Sequence, residues 1–217
     1  MKDAQGSPVQ GRTRWGRFAA VLVPATVVAG VIVFGMANGA IAASFAVSGS
    51  SFKVSADKLE GTGFVQYAGV ASEKGARYNN GVPDFTDPKN HAVAVSGIAS
   101  AKLTNLCQSV HVPGLPFSLV IHAGGGGNPA TATDLLLDVT SLKGDASFNN
   151  IQIGIDASDL SKGPANAKGL QGGFGQQADS VTITNLKQVA WSTTAGQFNL
   201  TGLDLSISSG ANPAECF

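Results

Sequence analysis

The sequence predicts an all-β protein: a single antiparallel β domain, built as a sandwich or a curved, elongated sheet, preceded by one N-terminal transmembrane or signal helix. Three observations carry that prediction. Apolar side chains alternate with period two through much of the chain, no stretch beyond the N-terminus keeps a 3.6-residue apolar stripe for three turns, and 28 glycines accompany a charged fraction of only 13%. Strands and tight turns suit such a composition, whereas a helical bundle or a disordered tail does not.

The N-terminus comes first. Lys2, Arg12, Arg14 and Arg17 precede an apolar run over residues 18–36, which holds no charged side chain and a single hydroxyl, Thr26. As a helix at about 1.5 Å per residue the run spans roughly 28 Å, close to the thickness of a bilayer's hydrocarbon core. The basic residues lie on its N-terminal side, so residues 1–17 are expected in the cytoplasm and residues 43–217 beyond the membrane. Residues 18–42 read in two ways, as a retained membrane anchor or as a signal peptide. Ala40 and Ala42 place small residues as a signal peptidase requires, with Ala43 as the first mature residue, and Pro24 and Gly30 shorten the effective apolar core. The total length of the run favours retention. Either way the membrane is the first expected partner.

Beyond it, about 175 residues suit one domain with a full core. Phe52 and Val54 alternate with Lys53 and Ser55; Phe117, Leu119 and Ile121 share a face opposite Ser118, Val120 and His122; Leu135, Leu137 and Val139 repeat the pattern. Ile151, Ile153 and Ile155, and later Leu203, Leu205 and Ile207, predict strands with one dry and one wet face. Breaks rich in Gly, Pro and Asn fall at residues 69–90, 122–133 and 158–180, and loops of that length are commonly functional or mobile. VSADKLEG, VTSLKGDASF, VTITNLKQVAW and FNLTGLDLSI echo one another at irregular spacing, which predicts successive hairpin or wrapping strands rather than a solenoid of fixed period.

Charge narrows the partners. The N-terminal segment takes four of the 14 basic residues and one of the 14 acidic ones, Asp3, leaving 10 against 13, a net −3. Without a run of Lys or Arg interleaved with aromatics, neither a phosphate-tracking groove nor nucleic acid as a partner is expected.

Reactive constellations are scarce. Cys107 and Cys216 are the only cysteines and lie beyond the apolar run, where oxidation is permitted; they predict a disulfide closing a long loop. His122-Ala123-Gly124-Gly125-Gly126-Gly127 invites comparison with the glycine-rich oxyanion loop of lipases and esterases, but no serine sits in G-x-S-x-G and no βαβ alternation would hold one. A flexible hairpin loop is the expectation there. His91, His111 and His122 lack metal-ligand spacing, while Asp84 with Asp87 and Asp156 with Asp159 suit turns and caps better than a calcium loop. Gly172-Gly173-Phe174-Gly175 lacks the Lys and Ser/Thr of a phosphate loop. Trp191 and Phe198 flank TTAGQ, which reads as a hairpin with aromatics packed across it, or as a sugar-stacking platform. No catalytic residue, metal or cofactor is expected.

In RTRWGRFAAVLVP, FGMANGAIAASFAVSG and FKVSADKLEGTGFVQY, and in the pair Cys107 and Cys216, the chain resembles an uncharacterised, Streptomyces-type family of actinobacterial envelope proteins over nearly its full length. The resemblance implies an envelope location and no known activity. Some members carry a label of cholesterol esterase, for which this chain offers no nucleophile elbow. The expected function is therefore a non-enzymatic, envelope-associated β domain, membrane-anchored or secreted, that binds a lipid-like molecule or an envelope protein. Its rivals are a structural cell-surface protein and a lipid-ester hydrolase in which folding brings His91, His111 or His122 beside a serine and an acid.

Overall fold

The computed structural model describes residues 48–111, 114–210 and 212–217; residues 1–17 and 18–42, and the cleavage candidates Ala40, Ala42 and Ala43, lie outside the described residues. The described strands are β1 (Phe52–Ser72), β2 (Tyr78–Asn79), β3 (Val82–Pro83), β4 (Asn90–Thr104), β5 (Leu106–His111), β6 (Phe117–Ala123), β7 (Ala130–Asn149), β8 (Gln152–Asp156), β9 (Phe174–Thr194), β10 (Gln197–Asn199) and β11 (Asp204–Ser209), with a short 3-10 turn at Ala157–Asp159. The all-β expectation holds for them, and every pairing is antiparallel.

The sheet closes on itself. β1 pairs with β4, β4 with β7, β7 with β9, and β9 returns to β1, where Phe52 meets Ala190 and Tyr67 meets Gly175. The architecture is thus a barrel of four long strands, not a sandwich or an open curved sheet. Length makes closure possible: β1 runs for 21 residues, gives one edge to β4 and β5 in succession, and gives the other to β9. A closed ring leaves none of these strands with a bare backbone edge along the paired stretch. The echoing segments are its successive strands, as expected for wrapping strands.

Inside the ring, Val54, Leu59, Phe64, Leu135, Val181 and Leu186 form the main core with their neighbours. Burying a side chain of this size stabilises by about 1.5–3 kcal/mol, so alternation along β1, β7 and β9 translates directly into a dry interior. The glycine-rich segment before β9 is shorter and better packed than expected. Leu160, Ala157 and Ala167 close over Val65 on the barrel's outside, and Gln177 Oε1 accepts from the amides of Ser161 and Lys162. Asp156 caps the turn as expected. The Ser158 amide, then the Gly172 amide and the Ser158 hydroxyl, hold its carboxyl below the usual aspartate range. Asp84 serves its own turn, accepting from the Thr86 amide and hydroxyl.

Three local expectations are corrected. TTAGQ is not a hairpin: β9 and β10 both lie along β7, Thr194 opposite Leu136 and Gln197 opposite Thr133, so the chain jogs and continues in the same direction. Trp191 and Phe198 therefore do not pack on each other; Trp191 stacks on His91 and Phe198 joins the main core. On β6 the buried side is Ser118 and Val120, not Phe117, Leu119 and Ile121. On β8, Ile153 is 66% exposed, because this short strand hangs on β9 and among the described residues no layer packs over it.

Candidate functional site

From β1 the sheet continues outward as a flap through β5, β6 and β11. Residues directly opposite one another across antiparallel strands share a face, so the register sorts the flap into two surfaces. Leu205, Ile121, Gln108, Val54 and Gln188 form one continuous row, and Ile207, Leu119 and Val110 form the next on the same face. The other face carries Asp204, His122, Cys107, Ser55 and Lys187 in one row, then Ser206, Val120, Ser109 and Lys53 in the next. One face is apolar and uncharged; the other holds the charges.

The apolar face is an extension of the core into solvent. Along its main row exposure rises from 3% at Gln188 and 5% at Val54 to 55% at Leu205, and Ile207 beside it reaches 67%. The dry face predicted for Leu203, Leu205 and Ile207 is thus left open, since among the described residues no second layer packs on it. Alternation predicts that they share a face, and only their exposure shows that it stays open among the described residues.

At the root of the row lies a small cavity of about 20 Å³, lined by Val54, Gln108, Gln188, Phe198, Thr193 and neighbouring leucines. That is room for about one water molecule, and far below the roughly 300–1,000 Å³ of small-molecule pockets. The cavity is therefore too small to enclose a small molecule. Thr193 Oγ1 is buried there without a hydrogen-bond partner. Leaving a hydroxyl unpaired costs about 1–3 kcal/mol, so Thr193→Val is expected to raise the unfolding free energy by about 1 kcal/mol and the melting temperature by about 2–4 °C. A thermal melt that falls instead would show that the hydroxyl is satisfied.

The charged face is clamped by the C-terminal tail. Cys216 is bonded to Cys107, its amide donates to Ser109 Oγ at 3.0 Å, and Lys53 Nζ meets Glu215 at 2.6 Å and the Phe217 oxygen at 2.9 Å. This cover explains why Ser118 and Val120 are the buried side of β6. A groove of about 320 Å³ runs beside the tail, lined by Lys53, His111, Trp191 and Glu215 among others. Its ammonium group is already neutralised by the tail, and one face of the Trp191 indole is taken by His91, with ring centroids 3.6 Å apart. Both observations leave it poorer than the flap as a binding surface.

Neither His91 nor His111 joins both an acid and a reachable serine, and His122 is exposed on β6 opposite Cys107 and Asp204. His91 Nε2 meets Glu73 at 3.0 Å, and no serine joins that pair; His111 Nδ1 meets the hydroxyl of Ser118 at 3.3 Å, but Ser118 is 0% exposed and beyond a substrate's reach. Ser192 donates to Asp138, whose carboxyl burial pushes up, without a histidine between them. Among the described residues no group of His, Cys, Asp or Glu is arranged to hold a metal ion. The glycine-rich loop is also spoken for, since the Gly124 amide donates to Thr201 O at 2.7 Å rather than facing an oxyanion site.

The fold and site define a disulfide-clamped antiparallel barrel with an amphipathic flap whose apolar side chains Leu205 and Ile207 are exposed. The chain belongs to the family of unknown function DUF6230, whose family profile matches residues 48–217. No curated protein and no solved structure matches it. The expected kinship with a family of unknown function agrees with that match.

Proposed function

We propose that the protein is an exported, envelope-associated domain without catalytic machinery, which binds a lipid-like amphiphile along the apolar face of the β5–β6–β11 flap. The observation that supports the reading is the row from Gln188 to Leu205, where the core runs without interruption into solvent. Residues 18–42 carry the domain across the membrane and either stay as its anchor or are removed after Ala42. The polar groups at the root, Thr193, Gln108 and Gln188, suit a hydroxyl or carbonyl at the end of an otherwise apolar ligand.

The test is mass spectrometry of lipid extracted from purified residues 43–217. Near-stoichiometric lipid is expected, and Leu205→Ser with Ile207→Ser should reduce it by about tenfold while the disulfide still forms. A second reading, a structural surface protein, is favoured by the free outer edge of β11, which pairs only with β6 among the described residues. Lipid-free protein that self-assembles at micromolar concentration would select that reading and reject the first.

A further inference from the structure

We infer that the amphiphile is the outer leaflet of the membrane the chain crosses, on which the flap lies with its apolar face down. The inference rests on the reading of residues 18–36 as a membrane span and of the flap as a lipid surface.

Charge is divided between the two sides of the flap. Neither apolar row contains a charged side chain, whereas the reverse of the flap carries Asp204 and His122, and the same face continues onto the barrel at Lys53 of β1, bonded to Glu215, and Lys187 of β9. A surface of this kind is the strand counterpart of an amphipathic helix lying in the plane of a membrane interface, with apolar groups inserted and charges kept in water. Reach supplies the second argument. Phe52, which packs against the core as β1 begins, follows the apolar run of residues 18–36 by only 16 residues, which at about 3.3–3.6 Å each extend to at most about 55 Å. That leash holds the flap at high effective concentration over the leaflet and makes even a modest apolar contact persistent.

Cavity size and the shape of the open surface decide between occupants. A cavity of about 20 Å³ does not enclose a carried ligand, while an open apolar face that begins at the core and ends at the exposed Leu205 and Ile207 suits a leaflet. A second copy added at the edge of β11 would satisfy backbone groups yet leave Leu205 and Ile207 as exposed as before, because they project from the face and not from the edge. The bilayer covers what an added strand would not.

The full chain, reconstituted in phosphatidylcholine–phosphatidylglycerol vesicles, should carry the photo-crosslinker p-benzoylphenylalanine in turn at positions 205, 206 and 207. All three are exposed in wild type and sit on one strand, and Ser206 belongs to the opposite face. Positions 205 and 207 are expected to form phospholipid adducts about tenfold more abundant than position 206, with the Cys107–Cys216 bond intact in each variant. Equal labelling at all three positions, adducts to another copy of the chain, or no adduct in a chain that resists alkaline extraction would each overturn the inference. Failure to resist alkaline extraction removes the span and overturns it too. Stoichiometric lipid on purified residues 43–217 without vesicle adducts would leave the proposed function standing and the leaflet inference refuted.

Discussion

Replacing Cys107 and Cys216 together by serine is expected to lower the unfolding free energy by up to about 4–5 kcal/mol, the chain-entropy value for a closed loop of this size. The two residues are 109 apart in sequence, so the bond removes much of the freedom of the unfolded chain. Native contacts of the tail depend on the same bond. The tail bound by Cys216 donates to Ser109 and engages Lys53, and Lys53 and Lys187 lie 5.4 and 5.6 Å from the centre of the Phe217 ring. A domain of this size loses about 2–4 °C of melting temperature per kcal/mol, which predicts a fall on the order of 10 °C. Wild type melted with and without reductant supplies the control. Reduced wild type should match the double variant, and curves that superimpose in all three samples would contradict the loop-closure argument.

Gly124→Ala is expected to cost about 3–5 kcal/mol, the sum of a strained left-handed backbone and an overpacked contact. Its φ is +74°, and a Cβ there would stand 2.5 Å from Leu103 O and 2.7 Å from Ala130 N, both backbone atoms of barrel strands. Its amide and carbonyl are also committed, to Thr201 O and to the Asn105 amide. The neighbouring Gly125→Ala makes the contrast. There the nearest atom is Asn105 Oδ1 at 3.6 Å, an ordinary contact, and the change should stay within about 0.5 kcal/mol. Urea unfolding of the two variants checks the pair, and equal midpoints would mean that the loop moves freely.

Much of the fold was legible in the sequence because strands announce themselves through alternation. Leu135, Leu137 and Val139 were readable as one face of β7, and all three are buried. Asp84 and Asp156 were readable as turn residues because each accepts from the residue two positions on; the further bond from the Gly172 amide to Asp156 was not. Cys107 and Cys216 were readable as a pair because no other cysteine competes. Alternation does not say which face is covered, and that is where the reading failed. Ser118 and Val120 are buried by a tail nearly a hundred residues further on, while Leu205 and Ile207, equally regular in sequence, meet no covering layer among the described residues. The candidate site was thus visible as a row of side chains and invisible as a site. Closure of the ring was hidden for a related reason, since pairing Phe52 with Ala190 depends on the register of every strand between them.

The return of β9 to β1 also governs how the molecule must assemble. β1 can find β4 early, through a nearby segment, but its other edge waits for a strand from near the far end of the sequence. A chain in which that strand has not yet docked would display a long row of unsatisfied amides and carbonyls, open to joining its neighbours at high concentration. Folding dominated by such distant pairings falls in the slow range, on the order of milliseconds to seconds. Recovery from denaturant should therefore improve with dilution, because the same edge that completes one molecule serves equally well to link two.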